Sequence, residues 1–411
     1  MSDKRAVITG IGVVTPIGTG VDEFWRALTA GQSGVGPITL FDTTGFAVQI
    51  GGEVRDLDFS EHIPSELSRK MSRNSKLAVV AARLAHQDSG LRIDEENRDQ
   101  VDVFMGVACP DLDTLARNMV RRHQRGSDRV NPLMAPVSVP SAPAGNIAIV
   151  LGSRGETLTI STACSSGANA IGHALRKIQS GESRAILAGG ADAGVQADLL
   201  SAYANARVLS SRNDQPESAC RPFEAHRDGH VLSEAAAVVV IEDYEHARSR
   251  DARIYAEVAG YGTTNDSQSM AAVAEDVSSA SRAVDRALKH AGRNREEVGL
   301  YCAHGSSSRT TDRRETRMLK SALGDHAYRV PVSGIKSMTG HPFGASGALQ
   351  AATCALAIHR SEIPPTINYE DPDPECDLDY VPNEAREQDV DLALCYSLGM
   401  GNNAALALAA C

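Results

Sequence analysis

The chain has 411 residues and a 42% hydrophobic content, enough for two domain-sized units or for one large α/β body built from two halves. A formal net charge of −11 and only 4% aromatic residues argue against nucleic acid or an anionic membrane as a main partner. The eight cysteines show no CxxC and no paired metal spacing, so they read as free thiols, with neither a disulfide framework nor a metal site.

Met1 to Arg5 is polar, and the apolar run Ala6 to Val14 is too short and too glycine-broken for a signal peptide or a membrane span. A cytoplasmic location is expected. Arg5 to Gly18 reads as a buried strand turning through glycines, and Ser65 to Ser89 as a helix carrying Arg69, Lys70, Arg73 and Lys76. Val101 to Cys109 is a second buried strand, and Leu112 to Arg125 a helix with a basic end. Asn131 to Pro143 holds four prolines and is expected to lack regular structure, as a loop reaching a pocket or a partner.

The stretch from Leu158 to Leu175 reads as a β-branched strand, a small-residue turn and an Ala-rich helix, with Cys164 at the junction. A thiol there sits at the positive end of a helix dipole, which favours its thiolate; a buried structural cysteine is the alternative reading. Arg184 to Gly190 and Ala235 to Glu242 are further strands, the latter apolar throughout as if buried on both faces. Strands alternating with helices predict a layered α/β fold with mostly parallel sheets.

The second half repeats the first. Gly299 to His304 corresponds to Asp102 to Cys109, Val330 to Gly340 with its following helix corresponds to the Cys164 unit, and Leu392 to Gly399 corresponds to Ala185 to Gly190. An internal duplication follows, with halves at 1–250 and 251–411 and the reactive loops on equivalent strand ends. Three loops can then meet, carrying Cys164, His304 and Lys336 to His341.

Thr162-Ala-Cys164-Ser-Ser-Gly, His304-Gly-Ser-Ser-Ser with Asp312 and Glu315 behind it, and Lys336-Ser-Met-Thr-Gly-His341 together resemble the β-ketoacyl-acyl carrier protein synthases of the thiolase-like condensing enzymes. The resemblance covers essentially the whole chain and implies a layered α-β-α-β-α fold of two duplicated halves. It implies that Cys164 takes an acyl chain from a carrier protein, with the Cys164 and Met400 backbone N–H groups as oxyanion hole. His304 and His341 would stabilise the enolate formed as malonyl loses CO2, with Lys336, Glu315 and Asp312 ordering the site. Cys109, Leu398 and Met400 would line or gate the acyl pocket, and Arg69, Lys70, Arg73 and Arg207 would dock the acidic carrier. No cofactor is implied.

Pro222-Phe, Arg227-Asp-Gly, Pro364-Pro-Thr and Asp371 to Pro382 look closest to the ketosynthase α subunits of type II polyketide synthases, which pair with a chain-length factor lacking the cysteine. A homodimeric synthase of the fatty-acid type is the alternative; a thiolase or a non-catalytic chain-length subunit is disfavoured by the retained Cys164, His304, His341 and Lys336. Gly399-Met-Gly-Asn-Asn403 replaces the fatty-acid pattern Gly-Phe-Gly-Gly-Thr-Asn, so a flexible thioether stands where an aromatic gate is usual. In the family, the segment matching Glu156 to Ile160 pairs across the dimer axis.

Overall fold

The computed structural model describes residues 4–269 and 272–411. Ten long or central strands form the body: β1 (Ala6–Thr15), β2 (Val101–Gly106), β3 (Thr157–Ile160), β4 (Ala185–Ala193), β5 (Glu234–Asp243), β6 (Ala256–Asn265), β7 (Leu300–Cys302), β8 (Val332–Ser333), β9 (Leu392–Gly399) and β10 (Asn402–Ala409). They run in the order β8-β7-β9-β10-β6-β1-β5-β4-β2-β3, with the two halves joined where Val7 and Ile8 of β1 pair with β6.

The duplication is visible in this order. From its outer edge inward, each half lays down its third, second, fourth, fifth and first strands, and the senses match pair by pair: β2 is parallel to β3 and β4, as β7 is to β8 and β9. The fourth and fifth strands, and the fifth and first, are antiparallel in both halves. The expectation of mostly parallel sheets is therefore corrected. β5 is buried along its whole length because helices cover both of its faces, and that burial carries no information on strand direction.

Three helical layers alternate with the two half-sheets. Outside the first lie α1 (Arg73–Ser89) and α2 (Ala142–Leu151), packing Leu77, Val80, Ala144 and Ile147 onto Val103, Leu187 and Val238. Between the half-sheets lie α3 (Ser166–Ser180) and α6 (Ser346–Arg360), whose Gly- and Ala-rich faces allow close approach. Outside the second lie α4 (Ser278–Ala291) and α5 (Arg309–Leu323). This is the thiolase-like α-β-α-β-α arrangement.

One close approach is duplicated too. A Cβ on Gly12 of β1 would stand 2.0 Å from Ala81 O of α1, and a Cβ on Gly262 of β6 would stand 2.0 Å from Ala283 O of α4. Only glycine lets helix and strand meet at that distance.

Two local expectations also change. The helix expected over Ser65 to Ser89 breaks into Ser65–Ser68 and α1, because Ser72 caps α1 by accepting from Ser75 N–H. The Pro-rich stretch 131–143 contains a short helix, Met134–Ser138, and the start of α2, where Pro143 falls in the first turn and loses no hydrogen bond. No helix among the described residues is long and apolar enough to cross a membrane.

Candidate active site

Cys164 sits between β3 and α3, just before the N-cap Ser165. The preceding Ala163 is held at φ 52°, a left-handed conformation that a non-glycine residue adopts only when its surroundings enforce it. The enforcement is a buried hydrogen-bond net. Asn169 Nδ2 donates to Thr162 Oγ1 at 2.7 Å and to Asn402 Oδ1 at 3.0 Å, Ser165 Oγ donates to Asn402 Oδ1 at 2.8 Å, and Tyr261 Oη donates to Asn169 Oδ1 at 2.6 Å. The elbow of the first half is thereby fastened to β6 and β10 of the second.

The turn between β9 and β10 lies against the same elbow. A Cβ on Gly399 would fall 2.7 Å from Cys164 N and 2.4 Å from Thr162 O, so glycine is required at that approach. Met400 follows at φ 47°, and among the described residues neither its N–H nor that of Cys164 is spent on a backbone carbonyl. Two backbone donors are thus free beside the sulfur, as an oxyanion requires. Met400 is 67% exposed, so in the single chain it does not close over a pocket as a gate would.

His341 Nε2 lies 3.2 Å from Cys164 Sγ, and its Nδ1 lies 3.2 Å from Ser346 Oγ at the start of α6. The His304 ring stands 5.4 Å from that of His341, nearly perpendicular to it. Leu398 N–H donates to His304 Nδ1 at 3.3 Å, which leaves the ring proton of a neutral His304 on Nε2. Burial, the Lys336 charge and the neighbouring imidazoles hold both histidines well below the usual imidazole range. Both are neutral at physiological pH.

Burial pushes the Cys164 thiol up to about 12 against the opposing pull of the Lys336 charge. The helix-end thiolate expected from sequence is corrected by this desolvation: the resting group is a thiol, with a neutral imidazole nitrogen placed to take its proton.

Lys336 opens a single helical turn, Lys336–Thr339, and donates from Nζ to His304 O at 2.5 Å. Glu315 on α5 accepts from His304 N–H at 2.7 Å, Gly305 N–H at 2.8 Å and Tyr301 Oη at 2.8 Å. Lys336 and Glu315 therefore meet through the two ends of the same residue's main chain and do not form a direct pair. Asp312, one turn earlier, accepts from Ser306 N–H and Phe223 N–H, each at 3.0 Å, and faces Arg227 at 3.3 Å. The His304 loop is fixed from both sides.

Three contributors escaped the sequence reading. Asp192, buried at the end of β4, accepts from Ala108 N–H at 2.9 Å, Cys109 N–H at 3.0 Å and Gly344 N–H at 2.6 Å, tying the Cys109 loop to the turn after His341. Burial raises its carboxyl to about 7 while those donors pull it down. Asn169 is the hub described above. His230 places its ring 5.6 Å from that of His341 and its Nδ1 2.8 Å from Ser306 O, so it grips the His304 loop. An Asp directly after the glycine-rich apolar run Ala188 to Ala191 was the one available signal for Asp192.

Arg69, Lys70 and Arg207 are exposed. Arg73 differs: its guanidinium donates to Glu234 at 2.6 Å and to Val54 O at 2.9 Å, so its charge is neutralised inside the fold and is corrected out of the docking set. Cys109 and Cys164 are half-buried against an apolar cluster that includes Leu200 and Phe343.

A cysteine elbow, paired neutral imidazoles and a duplicated five-layer body define a condensing enzyme of the thiolase-like class. Residues 3–247 match the family described as beta-ketoacyl synthase, N-terminal domain, and residues 255–370 match its C-terminal domain. The chain belongs to the β-ketoacyl synthase family, acyltransferases that carry out decarboxylative condensation. It is 41% identical over 403 residues to the 3-oxoacyl-acyl-carrier-protein synthase 2 of Synechocystis sp., covering 98% of this chain and 97% of that one. The synthase 2 of Coxiella burnetii is likewise 41% identical, over 401 residues, with the same coverage.

Among solved structures, the ishigamide ketosynthase/chain length factor matches with a TM-score of 0.92 at 36% identity over 99% of both chains. A type II polyketide ketosynthase in complex with its acyl-carrier protein matches with a TM-score of 0.91 at 33% identity, again over 99% of both. The curated relatives favour the fatty-acid-type alternative over the polyketide α-subunit expected from the sequence.

Proposed function

We propose that this enzyme extends carrier-bound acyl chains in the manner of a synthase 2, with the division at residues 250/251 separating a nucleophile half from a histidine half. The observation that carries the reading is the 3.2 Å contact between Cys164 Sγ and His341 Nε2, with the His304 Nε2 proton beside it. In the first step the Cys164 thiol loses its proton to His341 and attacks the acyl thioester. The oxyanion of the tetrahedral intermediate is held by the Cys164 and Met400 N–H groups, and the carrier thiol leaves with the proton.

In the second step, malonyl on its carrier places its thioester carbonyl against the Nε2–H donors of His304 and His341. The latter is neutral again after giving its proton to the carrier thiol and is now in the tautomer that carries its proton on Nε2, with Ser346 Oγ donating to Nδ1. As the carboxylate departs as CO2, those donors stabilise the enolate, whose carbon attacks the acyl-Cys164 carbonyl and expels the sulfur. Lys336 serves by keeping both imidazoles neutral, since an imidazolium beside a buried ammonium is disfavoured. Glu315 and Asp312 position His304 through its loop. Arg69, Lys70 and Arg207 offer the exposed cations for an acidic carrier, and Leu398, Cys109 and Met400 border the acyl site.

A second reading, the ketosynthase α subunit of a type II polyketide synthase, is favoured by the exposed Met400 in place of an aromatic gate. In both readings β3, an edge strand with its outer side unpaired in this chain, is the surface for a partner half-sheet. Native mass spectrometry of the chain alone decides between them. An active homodimer supports the synthase 2 reading; activity only after adding a second, cysteine-lacking subunit supports the polyketide reading and overturns the first.

A further inference from the structure

Tyr203 lies on the short helix Ala197–Asn205 and sets its ring edge-on to Phe343, centroid to centroid 5.5 Å. Phe343 stands 5.4 Å from the His341 ring, which in turn touches Cys164. Tyr203, Cys109 and Cys164 are all partly exposed and all pack on the one apolar cluster that contains Phe343. The phenol is therefore part of the wall around the nucleophile.

Its hydroxyl differs from those of the buried tyrosines. Each buried tyrosine gives its hydroxyl a partner: Tyr255 has Asp88, Tyr261 has Asn169, Tyr301 has Glu315, Tyr380 has Thr316 and Tyr396 has Asn403. The Tyr203 hydroxyl has none among the described residues, and burial, with the Cys164 and Cys109 sulfurs nearby, holds its pKa above the usual phenol range, so it stays protonated and able to donate. Tyr203 is only partly buried, so its hydroxyl remains available to an incoming group. The ring that carries it packs on the same cluster as Cys109 and Cys164.

Building on the condensation reading, we propose that Tyr203 is a specificity-determining residue: its hydroxyl selects acyl chains that carry a carbonyl or hydroxyl oxygen beyond the thioester. An oxygen-bearing chain accepts a hydrogen bond from the phenol as it displaces water from the pocket. A fully saturated chain leaves the hydroxyl dry and unpaired, and that desolvation lowers its loading rate. The selection concerns which chain Cys164 accepts and leaves the later carbon–carbon bond formation to the histidines.

The test is competitive loading of Cys164 in the full-length enzyme, using equimolar octanoyl- and 5-oxooctanoyl-carrier protein, with octanoyl- against 3-oxooctanoyl-carrier protein as a second pair. The acyl-enzyme is read by intact mass before any malonyl is added. The wild type is expected to favour at least one oxo chain by about five- to tenfold, the net worth of one hydrogen bond. Tyr203→Phe keeps the ring and disturbs no hydrogen bond of the fold, and is expected to bring that ratio near one. Equal loading by the wild type, or a preference unchanged in Tyr203→Phe, overturns the proposal while leaving the condensation reading intact. Failure of every chain to load Cys164 overturns both.

Discussion

At the residue scale, the site combines a thiol that burial keeps protonated with two imidazoles that burial keeps neutral. For His304 and His341 the folded pKa lies below the unfolded value of about 6.5. The neutral pair therefore persists as pH falls through that value, and protonation comes only further down. Malonyl-carrier-protein decarboxylation is expected to be flat from about pH 8 to 6.5, with its acid limb below the ordinary imidazole range; an acid limb centred at 6.5 or above contradicts this. Lys336→Met removes the charge that depresses both imidazoles, so its acid limb is expected to move upward relative to the wild type. The linkage also predicts that the stability contributed by these groups is full above about 6.5 and declines as pH drops below it, readable as a falling Tm. His304→Ala removes one enolate donor, and a loss in kcat of about 10²–10³-fold is expected, with acylation of Cys164 retained.

At the scale of elements, strand–turn–helix units deliver the reactive groups, and contacts between the halves hold them in register. Asn169→Ala cuts the net joining the Cys164 elbow to Asn402 and Tyr261. It is expected to lower unfolding free energy by about 1–3 kcal/mol, because buried partners lose their hydrogen bonds. Denaturant melts compared with the wild type check this, and an unchanged midpoint contradicts it. Gly12→Ala and Gly262→Ala make the same clash at equivalent positions, and each is expected to destabilise by about 1–3 kcal/mol or more; neutrality in either would show that helix and strand can move apart.

This scale also shows what could be read in advance. Cys164, His304 and His341 each follow a strand and carry small neighbours, a local pattern visible along the chain, and Lys336 stands in the same Ser-Gly-rich loop as His341. Asn169, His230 and Asp192 act through partners distant in sequence, Asp192 being 84 residues from Ala108 and Asn169 being 233 from Asn402, so no local pattern marks them. Arg73 failed for the same reason: its ion pair with Glu234 spans 161 residues, and only the fold shows that its charge is already used. Sheet direction was misjudged because two-sided burial of β5 looks alike in parallel and antiparallel settings.

At the scale of the molecule, duplication explains why one site draws on both halves. Each half ends its third strand in a loop leading to a central helix. The two central helices lie side by side between the half-sheets, so the loop bearing Cys164 and the loop bearing His341 meet. The antiparallel pair β9–β10 then brings its turn, with Gly399 and Met400, against the elbow. This composite site couples acyl transfer to CO2 loss. Acyl-loaded enzyme mixed with carboxyl-labelled malonyl-carrier protein tests it most directly. One labelled CO2 is expected for each β-ketoacyl product, with both lost in His304→Ala while acyl-Cys164 persists. Product formed without release of label, or undiminished turnover in that variant, would contradict it.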